Sequence, residues 1–326
     1  MSLKNKIILV TGGAGFIGSN LVDRLIQEEP AKIIVASNFF LGKYRNLSEA
    51  KKRFSALEIV RCDVSDPLEM EDLFNDYNFD VVFNLAVIPL PTSLVKPEWS
   101  TRKNIDMTIN ICKGLRLGKF KTLVQFSSSE APGSLKIAPM SEDHPMDPET
   151  PYAAAKAATD HIALSYHHTY GCDVVVVRPF NQYGPRQNAL KYAGIIPLTV
   201  GRMMRGEDVI LFGTGNQTRD FLYVSDTVDA VVEAYDNLKT RGKVVNIASG
   251  KEVSMKQVVD AIGSLMGYNK PYVYKETRIG DVSRHLADIS RAKELMGWEP
   301  KVSFDEGIRK TVEWYTSHPE VFKNDS

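Results

Sequence analysis

The sequence predicts an α/β protein with a doubly wound parallel sheet and a second, smaller lobe of mixed α/β structure. Short runs rich in valine and isoleucine alternate with longer amphipathic segments through the first 180 residues. Beyond them the apolar runs shorten, and proline and glycine become frequent. Strands that alternate with helices are typical of a parallel sheet covered on both faces.

The elements of the first half follow from these alternating runs. Strands are predicted at 6–12, 31–38, 57–64, 79–87, 121–129 and 172–181. Helices are predicted at 18–30, 68–78 and 151–168. The first helix should end at Pro30, because proline cannot continue a helix.

The second half is expected to form the smaller lobe. Its predicted strands are 208–213, 219–224 and 243–249, and a helix is predicted at 225–238. We therefore divide the chain into residues 1–180 and 181–326, and expect the chain to cross between the two parts more than once.

Composition narrows the class of protein. Forty basic residues balance forty acidic ones, so the formal net charge of zero favours neither nucleic acid nor an anionic membrane as partner. Three scattered cysteines predict buried free thiols, with no disulfide framework and no metal site. The first apolar run is only four residues long, too short for a signal peptide, so we expect a cytoplasmic protein.

A glycine-rich turn follows the first strand. Gly12, Gly15 and Gly18 have the spacing G-x-x-G-x-x-G, and Phe16 and Ile17 lie between the last two at the start of the first helix. Glycines let the backbone approach a pyrophosphate closely, and the helix N-terminus offers free N–H groups to it. The motif predicts a dinucleotide site in a Rossmann-type domain.

The end of the second strand leaves the choice of dinucleotide half decided. An acidic residue there would bond the 2′-hydroxyl of NAD, but the strand ends in Ser37 and Asn38. Lys43 and Arg45 follow within reach and suit a 2′-phosphate. NAD is expected, with NADP as the alternative because Ser37 replaces the usual acid.

A tyrosine, a lysine and a serine cluster predict alcohol chemistry. Tyr152 and Lys156 are four residues apart and share one helix face, and Ser128 and Ser129 end a strand at the sheet edge where ligands bind. An ammonium beside a phenol lowers the phenol pKa, so Tyr152 is predicted to be a general base on a carbinol. A serine hydroxyl would bond the same alcohol while a nicotinamide takes its hydride.

From about residue 5 to 312 the chain resembles extended short-chain dehydrogenases/reductases of the nucleotide-sugar epimerase/dehydratase family. Beside the two motifs above, the matching segments are Asp63-Val64, Asn84-Leu85-Ala86, the stretch 93–97, Asn104, and the runs 178–187, 219–226 and 278–281.

The resemblance implies a role for each matching residue. Ser128 would hold the sugar 4-hydroxyl, with Tyr152 as base and Lys156 as its tuner. Cofactor contacts are implied for Asp63, Val64, Leu85, Ala86 and Asn104, and substrate contacts for Ser93, Asn181, Arg219 and Arg278. Two separated arginines and an amide also suit a pyrophosphate on chemical grounds. The likeness further implies a homodimer, formed by four-helix packing of the helix that carries Tyr152 and the last long helix.

Glu130 indicates which reaction follows oxidation of the sugar. Once C4 is a ketone, a carboxylate can remove the acidified C5 proton and expel the C6 hydroxyl as water. We therefore predict a UDP-hexose dehydratase, acting on a substrate like UDP-N-acetylglucosamine, with Glu130 as base. A UDP-glucose or UDP-N-acetylglucosamine 4-epimerase is the alternative. A UDP-glucuronate decarboxylase ranks lower, because no arginine for the hexuronate carboxylate can be identified.

The chain also departs from the family pattern around the sugar and adenosine sites. Residues 87–91 are apolar and contain two prolines where relatives are polar, Phe39-Phe40 replaces a small polar pair, and Ala131-Pro132-Gly133 lacks the usual tyrosine. These changes leave open a 5,6-dehydratase or alkene-reductase variant. There are two rival classes. A redox sensor fits the retained Tyr–Lys pair less well, and a dehydrogenase of small alcohols or lipids fits the long second half less well.

Overall fold

The computed structural model describes residues 1–190, 192–276 and 283–323. Its centre is a seven-stranded sheet in which every pairing is parallel and the strand order is 3-2-1-4-5-6-10. Its strands are β1 (Ile7–Thr11), β2 (Lys32–Ser37), β3 (Leu57–Arg61), β4 (Val81–Asn84), β5 (Thr122–Phe126), β6 (Asp173–Pro179) and, later in the chain, β10 (Val244–Ile247). The strand order reverses between β1 and β4, which is where open α/β sheets bind ligands.

Helices cover both faces of this sheet. They are α1 (Phe16–Ile26), α2 (Ser48–Arg53), α3 (Pro67–Asp76), α4 (Leu90–Ser93), α5 (Pro97–Arg116), α6 (Pro151–Tyr170), α8 (Val224–Asp236) and α10 (Ser290–Met296). The alternation of side chains along β1 shows the two layers, because Ile8 and Val10 pack with α1 and α8 whereas Leu9 packs with α3 and α5. The doubly wound fold class is thereby confirmed.

In the part of the chain that the structure describes, the smaller lobe is built from two short sheets and three helices. Its remaining elements are β7 (Asn181–Tyr183), β8 (Ile210–Phe212), β9 (Thr218–Tyr223), β11 (Glu252–Ser254), β12 (Val273–Lys275), α7 (Ile195–Met204), α9 (Met255–Met266) and α11 (Phe304–Ser317). In the three-stranded sheet, β9 pairs with β7 in parallel and with β11 antiparallel. The helices enclose a separate apolar core around Val200, Ile262 and Ile308.

One predicted strand lies in a different sheet from the one expected. Residues 243–249 were assigned to the smaller lobe, but β10 extends the large sheet, where Val244 lies opposite Val176. A short valine-rich strand has the same sequence pattern in either sheet. Which strand it pairs with therefore depends on the tertiary fold and cannot be read from its own residues. The chain thus returns to the large sheet after β9, and the division at residue 180 stays a prediction.

The last long helix does not offer the dimer surface that the sequence suggested. The apolar side chains of α11, including Ile308, Val312 and Tyr315, are buried in the core of the smaller lobe. The helix that packs along α6 is α5. The four-helix packing of α6 and α11 between two copies is therefore wrong, because the apolar face of α11 is already buried against its own lobe.

Burial also decides the state of the cysteines. Cys62 and Cys112 are buried and Cys172 is half-buried, and all three are free thiols. Burial raises the pKa of Cys62 and of Cys112 to about 12. No helix within the described residues combines the length and the apolar character needed to cross a bilayer.

Candidate active site

A cavity of about 520 Å³ lies at the carboxyl edge of the large sheet, across the point where the strand order reverses. Loops after six adjacent strands and the start of α6 line it. The predicted site residues that it brings together are Gly12, Gly15, Phe16, Ile17, Gly18, Ser37, Asn38, Asp63, Val64, Leu85, Ala86, Ser128, Ser129, Glu130, Tyr152, Lys156 and Asn181.

The glycine turn forms a cradle that side chains would fill. Gly12 has φ +66°, and a Cβ atom there would lie 2.9 Å from the Ala86 nitrogen. A Cβ on Gly18 would lie 2.5 Å from the Gly12 carbonyl oxygen, so this glycine lets α1 pack against the turn. Gly15 is the N-cap of α1 and supplies no side chain to its first N–H groups. The cradle fits a dinucleotide pyrophosphate held at a helix N-terminus.

The opposite end of the cavity is shaped by the loop after β2. The Ser37 hydroxyl accepts a hydrogen bond from the Phe39 N–H at 3.2 Å, and Phe39 stacks on Tyr44 with ring centroids 4.0 Å apart. Asp63, at the end of β3, is the carboxylate of this region and lies 3.1 Å from the Lys103 ammonium. Burial acts to raise the pKa of Asp63, but hydrogen bonds from Ser65 and Lys103 lower it below its ordinary value. Asp63 therefore stays charged and suits an adenosine amino group.

The serine, the tyrosine and the glutamate form one connected group. The Ser128 hydroxyl accepts from the Glu130 N–H at 3.2 Å, and it is close enough to the phenol of Tyr152 to lower the phenol pKa. The Glu130 charge is close enough to act on the ionisation of Tyr152. A substrate hydroxyl that reaches Tyr152 thus also meets Ser128, with a carboxylate beside both.

Three successive residues at the end of β5 attach to one face of α6. The Lys156 ammonium donates to the Phe126 carbonyl, and the Ser127 hydroxyl donates to Asp160 at 2.5 Å. Ser128 then lies beside Tyr152 in the lining of the cavity. Residues 152, 156 and 160 are spaced by four and share a helix face. Ser127 and Asp160 were not predicted from the sequence, although the spacing of Asp160 from Tyr152 is a signal that could have indicated it.

The lowering of the Tyr152 pKa by Lys156 stays a prediction, because burial dominates the pKa of both groups in this structure. Burial raises the pKa of Tyr152 to about 12; the Ser128 hydrogen bond lowers it, and the charges of Glu130 and Asp160 raise it. Burial also lowers the pKa of Lys156 to about 8, against the charge of Asp160. The four-residue spacing places the Lys156 amine on the same helix face as Tyr152. Desolvation nevertheless has the larger effect on the pKa of each group.

The buried amine makes stability depend on pH. The folded pKa of Lys156 is about 8 and its ordinary value is 10.5, so between these values the unfolded chain binds more protons and stability rises with pH. From pH 7 to pH 9.5 the cofactor-free protein should gain about 2 kcal/mol of unfolding free energy relative to Lys156→Met. Urea unfolding at both pH values measures this.

Lys113→Met is the matched control, because this lysine is exposed on α5. Its difference from the unsubstituted protein should stay constant over the same pH range. Parallel pH profiles for the protein and Lys156→Met would show that the amine carries no burial penalty.

Among the described residues, two predicted contacts do not reach the cavity. Ser93 is fully buried and its hydroxyl donates to the Leu90 carbonyl at 2.8 Å, inside α4. Asn104 is also buried, and its amide holds Ile88 through two hydrogen bonds, so it can act on a ligand only by positioning that loop. Arg278 lies outside the described residues.

A second pocket of about 330 Å³ continues from the first into the smaller lobe. Asn181, Gln182 and Gln187 line both, and Arg219 and Arg202 line only the second. Within the described part of the chain, the buried Asn181 Nδ2 and Gln187 Oε1 atoms have no hydrogen-bond partner. Arg219 therefore lies in the second pocket, and amide groups stand where the two pockets meet. Gln187 ends the run 178–187 that resembles the family, but the sequence alone indicates no role for it.

Known proteins resemble the chain over nearly its full length. The model of a family described as GDP-mannose 4,6 dehydratase matches residues 9–311. UDP-glucose 4-epimerase of Thermotoga maritima, crystallised with UDP-glucose, is 34% identical with a TM-score of 0.90, over 96% of this chain and 100% of that one. dTDP-glucose 4,6-dehydratase of Bacillus anthracis, in complex with NAD, is 31% identical with a TM-score of 0.87, over 97% and 98%. UDP-N-acetyl-α-D-glucosaminuronate decarboxylase of Bacillus cytotoxicus is 32% identical over 323 residues, covering 95% of this chain and 98% of the relative.

Proposed function

The chain belongs to the GDP-mannose 4,6-dehydratase family of extended short-chain dehydrogenases/reductases, which includes nucleotide-sugar epimerases, dehydratases and decarboxylases, and we propose that it modifies a nucleotide-linked hexose by transient oxidation at C4. The observation that carries this proposal is that Ser128 and Tyr152 line one cavity together with the glycine cradle, with the serine hydroxyl close enough to the phenol to lower its pKa.

The first cavity is proposed to hold NAD. The cradle of Gly12, Gly15 and Gly18 would bind the pyrophosphate, and Asp63 with Ser37 would meet the adenosine half. When bound, the nicotinamide supplies the hydride acceptor for the sugar carbon. NADP remains the alternative, because Lys43 and Arg45 also line this end.

The second pocket is proposed to hold the nucleotide diphosphate, with UDP as the first choice. Asn181 and Gln187 offer a buried donor and a buried acceptor at the junction, where the diphosphate would pass from one pocket to the other. Arg219 would meet its negative charge. The hexose would then lie in the first cavity beside Tyr152.

The chain's own groups would divide the chemistry between them. Tyr152 would take the proton of the C4 hydroxyl, and Ser128 would hold that hydroxyl in line. Glu130, beside Ser128, would take the C5 proton of the keto-sugar, and the C6 hydroxyl would leave as water. The presence of a carboxylate at this place favours dehydration.

A 4-epimerase acting on UDP-glucose or UDP-N-acetylglucosamine is the second candidate, because the epimerase with UDP-glucose is as similar in fold and sequence as any relative described above. It needs only Tyr152 and Ser128. A UDP-glucuronate decarboxylase and a 5,6-dehydratase or alkene-reductase variant are further alternatives.

Incubation in deuterated water separates these reactions. UDP-N-acetylglucosamine, UDP-glucose and UDP-glucuronate are each supplied to the NAD-loaded protein, and the products are read by mass spectrometry and NMR. We expect loss of water with deuterium at C5. Glu130→Gln should slow water loss by about 10²–10⁴-fold while the reduced nicotinamide still forms.

Glu149→Gln is the matched control, because Glu149 is exposed before α6 and does not line the cavity. It should leave water loss unchanged. Isomerisation at C4 without C5 exchange would instead identify a 4-epimerase, and loss of carbon dioxide a decarboxylase.

A homodimer is proposed from the surface formed by α5 and α6. These helices pack along each other, and Ile109 on α5 is 40% exposed while Tyr170 at the end of α6 is 58% exposed. The molecular mass measured by light scattering tests this proposal.

A further inference from the structure

Two aromatic side chains meet at the mouth of the catalytic cavity. Phe40, in the loop after β2, lines the cavity and is 44% exposed. Its ring centroid lies 6.1 Å from that of Trp99 on α5, which is 40% exposed. An exposed apolar surface that continues into a cavity is typical of a place where a ligand binds.

The loop that carries Phe40 is held against the glycine cradle. The Lys43 N–H and the Asn46 side-chain amide both donate to the Ala14 carbonyl, at 3.0 and 2.9 Å. A Cβ atom on Gly42 would lie 2.9 Å from the Ala14 Cβ, so the loop packs directly on the turn after β1. Phe40 is therefore presented from a loop whose position is fixed by the proposed pyrophosphate site.

The backbone just before Phe40 has an unusual conformation. Phe39 adopts φ +59°, which bulky residues rarely do. Its ring stacks on Tyr44 with centroids 4.0 Å apart, and its N–H donates to the Ser37 hydroxyl at 3.2 Å. Such strain persists where surrounding contacts determine it, often at ligand sites. Here it separates two successive rings, so that Phe39 packs on Tyr44 while Phe40 reaches Trp99 and the cavity.

The contact with Trp99 locates Phe40 at the adenosine half of the cavity. Trp99 and Lys103 are four residues apart and share one face of α5. Lys103 pairs with Asp63 at 3.1 Å, and Asp63 lines the cavity after β3. Phe40 and Asp63 thus reach the same face of α5 from the loops after two neighbouring strands. An adenine whose amino group meets Asp63 would have Phe40 within reach of its ring.

We propose that Phe40 packs on the face of the adenine ring of the cofactor, and that Trp99 holds Phe40 in place from behind. This role rests on the proposed function, because it requires a dinucleotide in the first cavity. It does not depend on the choice between NAD and NADP, since both contain adenine. Packing of an aromatic side chain on a nucleotide base strengthens binding by about tenfold.

Calorimetry of the cofactor-free protein tests the proposal with NAD and with ADP-ribose, which keeps the adenine but lacks the nicotinamide. Phe40→Ala should weaken the binding of both ligands by about tenfold. Phe40→Tyr keeps the ring and should bind both ligands like the unsubstituted protein. Leu94→Ala is the control and should leave both affinities unchanged, because Leu94 is 50% exposed and does not line the cavity.

Two results with Phe40→Ala would overturn the proposal. One is a change of less than about twofold for both ligands, which is below the usual effect of an aromatic contact. The other is a loss for NAD alone, because Phe40 would then act on the nicotinamide half. If neither NAD nor ADP-ribose binds the unsubstituted protein, the proposed function itself fails, and this role with it.

The part played by Trp99 is tested by a double replacement. Trp99→Ala should weaken ADP-ribose binding by less than Phe40→Ala does. The protein with both replacements should bind no more weakly than Phe40→Ala alone, because Trp99 acts only through Phe40. Additive losses would instead show that the two rings act independently on the nucleotide, and would contradict the positioning role of Trp99.

Discussion

Replacing Tyr152 by phenylalanine should lower the rate of sugar oxidation by about 10²–10⁴-fold, the usual contribution of a positioned general base. The substitution removes one oxygen, which is the atom beside Ser128 that would take the C4 proton. The ring remains, so the cavity keeps its shape and NAD affinity should change little. Formation of the reduced nicotinamide after mixing with UDP-sugar measures the rate, and calorimetry measures NAD binding.

The control for this prediction is Tyr170→Phe. Tyr170 ends the same helix, its side chain is 58% exposed, and it does not line the cavity. It should oxidise the sugar at the unsubstituted rate. If Tyr152→Phe retains more than a tenth of the activity, another group takes the proton and the assignment of the base is wrong.

Removing the Asp160 carboxylate should cause the largest loss of stability. Asp160 is 2% exposed and pairs with Arg178 at 3.2 Å while accepting from Ser127 at 2.5 Å. Asp160→Ala leaves the buried guanidinium of Arg178 without its counter-charge. Breaking a buried pair from one side costs about 3–5 kcal/mol. Urea unfolding of the cofactor-free protein measures this loss.

A more exposed Asp–Arg pair supplies the comparison. Asp229 lies 2.7 Å from Arg24, with side chains 33% and 21% exposed, and Asp229→Ala should cost about 1 kcal/mol or less. The double replacement Asp160→Leu with Arg178→Met should recover most of the loss, because it leaves no unpaired charge. Equal losses of unfolding free energy for Asp160→Ala and Asp229→Ala would mean that burial does not increase the contribution of the Asp160–Arg178 pair to stability.

Local patterns predicted most of the elements, and the structure confirms them. The strand at 31–38 is observed as Lys32–Ser37, and the helix at 151–168 as Pro151–Tyr170. Such patterns succeed because side-chain periodicity and glycine placement act within a few residues of chain. The glycine turn was predictable for the same reason, since Gly12 and Gly18 are required by contacts inside one strand–turn–helix unit.

Contacts between distant segments were harder to predict. Ser93 lies in a motif shared with the family, yet it faces its own helix rather than the cavity. The β10 strand matches either sheet by composition, and α11 has an apolar face that could cover a partner or its own lobe. In each case the residue type was compatible with two environments, and the chain path selected one of them.

By itself, the sequence determined the doubly wound sheet, the phosphate cradle and the helix face shared by Tyr152 and Lys156. The tertiary structure alone decided that Ser127 and Asp160 join this group and that burial raises the pKa of Tyr152 while lowering that of Lys156. It also placed residues 87–91 in the lining of the cavity. The physical reason is that periodicity is a property of neighbouring residues, whereas desolvation and ion pairing depend on groups that only the folded chain brings together.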